Sequence, residues 1–254
     1  SWMGDLIQEN PNITVGQLLI PGTHDSAAYT LTPLYGARKN YLNRMAALPL
    51  VGRLIRAVAS ISACTQKLPI KQQLETGARS LDLRVLYSEH PAPGQFSLAH
   101  KLTCIPLQTC LNDIQAFFQE NPDEMLIVNI KPEWDNQDTL VITDENKSEA
   151  ALKIITERQS LLQEFLVQQF EHHLWKTNGH TSLSTQPLSS MKGKVVFAFT
   201  DLPVSPDNGI HLKEALSNAN WANKHNVEDC FSKGQTFLEQ QLNDKAHIIE
   251  IDSS

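Results

Sequence analysis

The sequence lacks long apolar runs and has no excess of basic residues. No stretch reaches the roughly 18 uncharged apolar residues that a membrane-spanning helix needs, so no transmembrane segment is predicted. The formal net charge of -7 excludes the broad basic surface that non-specific nucleic-acid binding requires. Nucleic acid is therefore not an expected partner, and a phosphate-bearing ligand would have to bind in a local basic pocket.

Cysteine is also scarce. The four cysteines show neither the CxxC spacing of a zinc site nor the density of a disulfide scaffold; they are Cys64, Cys104, Cys110 and Cys230. A local bridge between Cys104 and Cys110 is one interpretation, and reduced, partly buried thiols are the preferred one.

The first twenty residues do not resemble a secretory signal peptide, because Asp5, Glu9 and Asn12 stand where such a peptide is apolar. The chain begins at Ser1 instead of methionine, as removal of a leader would leave it. The length of 254 residues and the hydrophobic content of 41% allow a substantial core. We expect a single domain over residues 1–254, since α/β barrels reach this length as one unit.

Short apolar runs alternate with longer helical stretches, which is typical of repeated βα units around a parallel sheet. Helical spacing is clear from Leu107 to Phe118, and a second long helix is predicted for residues 148–175, with Ile154, Leu161, Phe165 and Phe170 on its apolar positions. Seven strands are predicted, at residues 17–20, 80–85, 96–99, 125–130, 194–199, near Val227 and at 247–251. The pattern favours a parallel (β/α) barrel of TIM type.

Polar residues lie at the C-terminal ends of the first four predicted strands. They are His24, Arg84, His100 and Lys131. A parallel barrel opens all its βα loops on the face where these strands end, and its active site lies there.

The second predicted strand carries polar residues on one face only. Period-2 alternation separates Leu81, Leu83 and Val85 from Asp82 and Arg84. A carboxylate and a guanidinium inside a barrel are costly to bury unless they pair or bind a ligand.

Each of these residues also has a purely structural interpretation, as a turn histidine, a buried ion pair, a hydrogen-bonded residue at the rim or a solvated lysine. Together they fit one task. Two imidazoles can share the work of base and acid near neutral pH, and two cations can hold a phosphate. Cleavage of a phosphodiester by an internal hydroxyl needs this set of groups and no metal.

Four motifs read LLIPGTHDSAAY, ETGARSLDLRV, FSLAHKL and LIVNIKPEWD, and a fifth stretch reads MKGKVVFAF. The four motifs resemble the catalytic X-box of phosphatidylinositol-specific phospholipase C, and the fifth stretch resembles the fifth strand of that family. The resemblance covers residues 2–199. It implies a TIM-type barrel that is distorted or incomplete at its C-terminal strand. It also implies cleavage of phosphatidylinositol-type lipids to diacylglycerol and a cyclic inositol phosphate.

The resemblance also implies roles for single residues. His24 matches the general base that deprotonates the inositol 2-hydroxyl, and His100 matches the general acid that protonates the glycerol oxygen. Asp25 matches the carboxylate that supports the acid. Asp82 and Arg84 match the pair beside the phosphate, and Lys131 matches a lysine that reaches the head group.

The same motifs imply a reaction without a metal or another cofactor. Calcium-dependent members carry carboxylates where this chain has Arg84 and Lys131, and often asparagine where it has Asp25. A cation at two ligand positions cannot coordinate Ca²⁺. The chain therefore resembles the bacterial, metal-independent branch.

The chain departs from the family pattern beyond the fifth strand. Thr200 and Asp201 stand where compact bacterial members have an arginine, which puts one head-group contact in doubt. Asp229 and Phe231 weakly resemble an inositol-binding aspartate followed by an aromatic residue.

A last strand should supply the carboxylate that orients His24. Asp252 is one candidate; with equal weight, Asp252 belongs to the seventh strand and the partner is absent or replaced by Asp201 or Glu250. The sequence leaves this choice open.

Residues 38–67 combine apolar side chains with Arg44, Arg53 and Arg56. A basic amphipathic helix at the rim would dock on an anionic membrane, whereas the structural alternative packs its apolar stripe on the barrel. The expected partner is a phosphatidylinositol-type lipid at a membrane surface. We expect a secreted or peripheral membrane-associated monomer.

Two other functions compete with the lipase. One is a metal-dependent glycerophosphodiester phosphodiesterase, which Arg84 and Lys131 argue against. The other is a phosphoinositide-binding module that has lost turnover.

Overall fold

The computed structural model describes residues 1–31, 54, 57–58, 64–88, 95–100, 102–132, 149–177, 182–200, 204–205, 207–211, 218–220 and 249–252. Only the backbone is described for Ser88, Gln95 and Leu102, for part of the first turns of the long helix that begins at Glu149, and for the strands at 218–220 and 249–252. None of the helices in this part of the chain is long and apolar enough to cross a membrane.

The described residues form a sheet of nine strands. They are β1 (Leu19–Thr23), β2 (Ser80–Ser88), β3 (Gln95–His100), β4 (Leu102–Pro106), β5 (Leu126–Pro132), β6 (Val195–Phe199), β7 (Ile210–His211), β8 (Asn218–Asn220) and β9 (Ile249–Asp252). The order β7-β6-β5-β2-β1-β9-β8 is parallel throughout. The predicted α/β barrel is confirmed in a distorted form, with the sheet open between β7 and β8 among these residues.

The third predicted strand is confirmed at residues 95–100, but its expected parallel orientation is wrong. β3 pairs antiparallel with β2 and with β4, and β4 itself was not predicted. β2 extends to Ser88, beyond the ends of its parallel neighbours. There its backbone hydrogen-bonding groups pair with β3, which runs back along β2. The short strands β7 and β8 were also missed, and the strand expected near Val227 lies outside the described residues.

Alternation along the strands divides the core into two parts. Leu81, Leu83 and Val85 of β2 point toward the helices, as predicted, and belong to the larger apolar cluster. Residues Ile127 and Val196 point to the other side and pack in a second cluster. Asp82 and Arg84 therefore project into the barrel, on the side of β2 opposite to the larger apolar cluster.

Four helices surround the described part of the sheet: α1 (Trp2–Glu9), α2 (Ile70–Glu75), α3 (Leu107–Glu120) and α4 (Glu149–Phe170). Helices α3 and α4 confirm the two predicted long helices, and Asn121 is the C-cap of α3. The buried face of α4 carries Leu162, Leu166 and Phe170, whereas Leu161 is 49% exposed, contrary to the apolar stripe that we predicted.

None of the cysteines that the structure describes forms a disulfide. Cys104 and Cys110 are buried as reduced thiols and Cys64 is exposed, so no local bridge forms. Burial raises the pKa of the Cys110 thiol above its ordinary range. Cys230 lies outside the described residues.

A buried ion pair fixes the start of β2 at the end of the barrel opposite to the strand ends. Arg79 Nε lies 2.6 Å from Glu124 Oε2, with side chains only 5% and 0% exposed. Glu124 Oε1 also accepts a hydrogen bond from the Met3 backbone N–H, which ties α1 to this end. The Arg79 backbone donates to Pro21 O and accepts from Ile127 N–H, so it joins β1, β2 and β5.

We predict that Glu124→Ala lowers the free energy of unfolding by about 3–5 kcal/mol, because it leaves the buried Arg79 guanidinium without its counter-charge. The neighbouring Asp123 offers a matched control, since its pair with Lys192 is 2.9 Å long but 43% and 41% exposed. Asp123→Ala should cost less than about 1 kcal/mol. Equal losses for both variants in urea unfolding would contradict the prediction.

Candidate active site

Five polar side chains meet at the ends of three strands. They are His24, Asp25, Asp82, Arg84 and His100. His24 and Asp25 follow β1, and Asp82 and Arg84 lie on β2. β3 runs back along β2 with Leu98 opposite Val85, so His100 returns to the level of the same rim. The histidine thus reaches the site on an antiparallel strand, not on a parallel one as predicted.

The turn after β1 holds Asp25 in an unusual backbone conformation. Its φ of 44° lies in the left-handed region, which a non-glycine residue adopts at a cost. Gln66 Nε2 donates to the His24 carbonyl at 2.8 Å, and Thr65 Oγ1 donates to the Asp25 carbonyl at 3.2 Å. The Ala28 N–H donates to the same Asp25 carbonyl. These hydrogen bonds hold the strained turn, and neither Thr65 nor Gln66 was predicted to matter.

The Asp25 carboxylate is the centre of the cluster, with a side chain only 1% exposed. Its Oδ2 lies 3.1 Å from His24 Nε2 and 3.2 Å from His100 Nε2. Its Oδ1 lies 2.6 Å from Arg84 Nε. Two imidazoles and one guanidinium therefore surround one buried anion.

The Asp82 carboxylate makes a second set of contacts. Its Oδ2 lies 3.0 Å from His24 Nδ1 and 3.3 Å from Arg84 Nη2, and it accepts the Asp25 backbone N–H at 3.3 Å. Each ring nitrogen of His24 thus faces a carboxylate. The sequence did not predict Asp82 as a partner of His24.

These contacts determine the charge of His24. Burial by itself lowers the pKa of the imidazole, but the hydrogen bonds and charges of Asp25 and Asp82 outweigh it and raise the pKa from 6.5 to about 10. Burial also works against ionisation of Asp82, yet His24 and Arg84 hold the pKa of this carboxyl below its usual range. The unliganded site therefore contains an imidazolium between two carboxylates at neutral pH.

A metal ion would compete with the guanidinium in this cluster. Ligand atoms of His24, Asp25 and Asp82 lie within 4.8 Å of one another, which is close enough to hold a cation. Both carboxylates, however, already contact Arg84. A divalent ion at this place would stand against a permanent positive charge, so these donors fit a metal poorly.

The remaining predicted residues are described in part. Lys131 is half-buried on β5, opposite Arg84 in the register. The backbone of Asp252 pairs with Gly22 and that of Glu250 with Ile20, so β9 ends beside the strand that leads to His24. The side chains of Asp252 and Glu250 lie outside the described part of the structure. Asp201, Asp229 and Phe231 lie outside it entirely.

For residues 38–67 the sequence leaves two predictions open, docking on a membrane or packing on the barrel. Most of this segment lies outside the described residues. Leu54 and Val58 of this segment are 69% and 59% exposed.

A polar pair that was not predicted as part of the site extends it toward β6. Asn129 Nδ2 donates to Asp82 Oδ1 at 3.4 Å, and Thr200 Oγ1 donates to Asn129 Oδ1 at 2.9 Å. A signal was present in the sequence, because Asn129 interrupts a buried apolar strand and shares its face with Lys131.

Comparison with known proteins gives sequence matches over about half of the chain. Residues 56–149 match the family model described as "Phosphatidylinositol-specific phospholipase C, X domain". PI-PLC X domain-containing protein 2 of Homo sapiens is 30% identical over 131 residues, which cover 50% of this chain and 42% of that protein. Variant-surface-glycoprotein phospholipase C of Trypanosoma cruzi is 29% identical over 138 residues, 52% of this chain and 36% of that protein. The chain thus spans less than half the length of these relatives.

Solved structures resemble nearly the whole chain. The phosphatidylinositol-specific phospholipase C from Listeria monocytogenes superposes with a TM-score of 0.58 at 18% identity, over 94% of this chain and 73% of that chain. The enzyme from Staphylococcus aureus gives 0.57 at 17% identity, over 95% and 72%. At these identities the likeness concerns the fold, and it confirms the barrel.

We predict that the His24 ring titrates near pH 10 in the ligand-free protein, as measured by NMR of the labelled imidazole and assigned by loss of the signal in His24→Ala. Asp25→Asn should lower this pKa, because it removes a hydrogen bond and a charge that raise it.

The same shift makes stability depend on pH. The folded-state pKa is higher than the unfolded value of 6.5, so the charged ring stabilises the fold fully below about pH 6.5. This contribution is lost as the pH rises through about 10. An imidazole that titrated near 6.5 and did not respond to Asp25→Asn would contradict the account of the cluster.

Proposed function

Because this chain is related to the X domain of phosphatidylinositol-specific phospholipases C, we propose that residues 1–254 act as one catalytic domain that cleaves phosphatidylinositol-type lipids. One observation carries the proposal: the Oδ2 atom of Asp25 contacts both His24 and His100, and Arg84 contacts its Oδ1. Two proton-transfer groups and a phosphate-binding cation thus share a single anchor.

In the proposed reaction the phosphoryl group passes from the glycerol oxygen to the inositol 2-hydroxyl oxygen, and no water takes part. The inositol 2-hydroxyl attacks, a new phosphorus–oxygen bond closes the ring, and the bond to the glycerol oxygen breaks. His24 takes the hydroxyl proton and His100 gives a proton to the glycerol oxygen, so that diacylglycerol and a cyclic inositol phosphate leave. Arg84 lies where it can offset the charge that develops on the phosphoryl oxygens.

The raised pKa of His24 bears directly on its role. A base must be neutral before it accepts a proton, and the ligand-free site holds this ring as an imidazolium. We propose that substrate binding moves His24 away from Asp25, which lowers the pKa of the ring, so that Nε2 releases its proton to solvent. The neutral Nε2 then meets the hydroxyl, while Nδ1 keeps its proton and its contact with Asp82. Asp82 would then help to orient the base, and Asp252, Glu250 and Asp201 remain proposed for the same role.

His100 depends on the same carboxylate. Asp25 holds its Nε2 at 3.2 Å, so the proton for the leaving oxygen would come from Nδ1. The contact with Asp25 orients the His100 ring for this donation. Arg84 and Lys131 supply positive charge on neighbouring strands, which supports a mechanism without a metal.

The lipid would meet the protein at the rim of the barrel. Exposed Leu54 and Val58, in a segment that is rich in arginine, support docking on an anionic membrane surface. Lys131 would reach the head group, and Asp201, Asp229 and Phe231 remain proposed contacts for the inositol ring. The poor fit of the cluster to a metal disfavours the glycerophosphodiesterase alternative. Contacts of Asp25 with both imidazoles disfavour a module without turnover.

The two histidines can be separated by the leaving group of the substrate. We predict that His24→Ala and His100→Ala each lower turnover of phosphatidylinositol by about a hundredfold to ten-thousandfold. An inositol phosphodiester with an activated aryl leaving group needs no acid. It should therefore restore much of the activity of His100→Ala and little of that of His24→Ala.

Arg84→Ala is the matched control, because the phosphate charge is present in both substrates and this variant should stay impaired on both. The measurement is the ratio of turnover on the activated substrate to turnover on the natural one. Selective rescue of His24→Ala would reverse the two roles, as the raised pKa of this ring would allow. Turnover near the parent level in either histidine variant would refute the proposed chemistry.

A further inference from the structure

The polar pair Asn129 and Thr200 lies behind the cluster and has no assigned role. We propose that these two residues are positioning residues, which fix the rotation of the Asp82 carboxylate and thereby hold the His24 ring in place. This inference rests on the proposed function for its kinetic consequences, but its geometric claim concerns the ligand-free protein alone.

The two oxygens of Asp82 have separate tasks. Oδ2 faces the cluster, where it contacts His24, Arg84 and the Asp25 backbone. Oδ1 points the other way and accepts the Asn129 amide at 3.4 Å. Asp82 is 9% exposed, so a lost donor on Oδ1 would not be replaced readily by bulk water. The amide therefore selects one of the rotations that the carboxylate could adopt.

Thr200 selects the orientation of Asn129. Its hydroxyl donates to Asn129 Oδ1 at 2.9 Å, which leaves the NH₂ group of the amide facing Asp82. A flipped amide would turn its oxygen toward the carboxylate and its NH₂ toward a hydroxyl that would then have to accept. The repulsion between two acceptors makes that alternative unfavourable.

The two hydrogen bonds from Thr200 to Asn129 and from Asn129 to Asp82 form a relay. The sheet keeps the residues of this relay in register across three strands. Asp82 on β2 lies opposite Asn129 on β5, and Asn129 lies opposite Ala198 on β6. Ala198 is small and leaves room beside the amide. The Thr200 N–H donates to the Ile130 carbonyl at 3.0 Å, which fixes the hydroxyl two residues beyond Ala198. The relay is thus built on rigid strands.

The relay gives Thr200 a role at the strand end where, by the family resemblance, compact bacterial members have an arginine. Its hydroxyl points inward to Asn129 and serves the cluster through Asp82. A misplacement of about 1 Å in a catalytic group can cost about a hundredfold in rate. Loss of the relay should therefore lower kcat and leave KM nearly unchanged, since neither residue is proposed to touch the lipid.

The test compares Asn129→Leu and Thr200→Val, which remove the hydrogen bonds at nearly constant volume, with Thr200→Ser, which keeps the hydroxyl. The direct readout is the downfield NMR signal of the His24 Nδ1–H proton in ligand-free protein. We expect this signal to shift upfield or broaden in Asn129→Leu and Thr200→Val, and to be restored in Thr200→Ser. In turnover of phosphatidylinositol, kcat should fall about tenfold to a hundredfold in the first two variants.

Thr76→Val is the control for a lost threonine hydrogen bond outside the site, since Thr76 Oγ1 donates only to the Gln73 carbonyl at the end of α2. It should lower the melting temperature and leave the His24 signal and kcat unchanged. In an Asp82→Asn background, Asn129→Leu should have little further effect on kcat, because the relay acts through Asp82.

An unchanged His24 signal in Asn129→Leu and Thr200→Val would overturn the inference, and so would full additivity with Asp82→Asn. A third outcome combines the predicted changes of the His24 signal in the variants with a parent protein that does not cleave phosphatidylinositol. That outcome would refute the proposed function and support the relay.

Discussion

The site depends on one constraint, the burial of the Asp25 carboxylate. A carboxylate with almost no exposure to water must be compensated by hydrogen bonds and opposite charges. Here His24, His100 and Arg84 provide this compensation from three different strands or strand ends. The left-handed backbone of Asp25 puts the carboxylate where all three can reach it, and the hydrogen bonds from Thr65 and Ala28 hold that backbone. Removal of this anion would release the whole cluster.

The arrangement links stability and chemistry in the same contacts. In the ligand-free site, Asp25 and Asp82 hold His24 as an imidazolium, which favours the folded state at neutral pH. For the ring to act as a base, part of this stabilisation must be given up when the lipid binds. A phosphate at Arg84 would compete for the guanidinium that both carboxylates now share. The ligand-free site is therefore a set of ion pairs that must rearrange when the substrate binds.

The sequence predicted those features that depend on local pattern. Alternation in β2 separated Leu81 and Leu83 from Asp82 and Arg84, and the structure confirms this division. The strands β1, β2, β3, β5, β6 and β9 and the helix α3 were also found, because their apolar periods are regular, whereas β4, β7 and β8 were missed. Four motifs identified the residues of the site, although their catalytic roles stay predictions.

The missed features depend on contacts between segments that are distant in the sequence. β3 has the apolar character of any buried strand, and nothing in its residues tells an antiparallel return from a parallel strand. The pairing of Asp82 with His24 spans two strands and depends on the turn at Asp25. The relay through Asn129 and Thr200 crosses three strands, so single-strand alternation could only mark Asn129 as a polar residue that faces inward.

The central claim is that His24, His100 and Arg84 perform an internal phosphoryl transfer without a metal. The most direct measurement is phosphorus NMR of phosphatidylinositol vesicles incubated with the protein in excess chelator. The account predicts that the lipid signal decays and that the signal of a cyclic inositol phosphate grows in its place, with Arg84→Ala strongly impaired. Absence of turnover in chelator with recovery on addition of Ca²⁺, or an acyclic phosphomonoester as the first product, would contradict it.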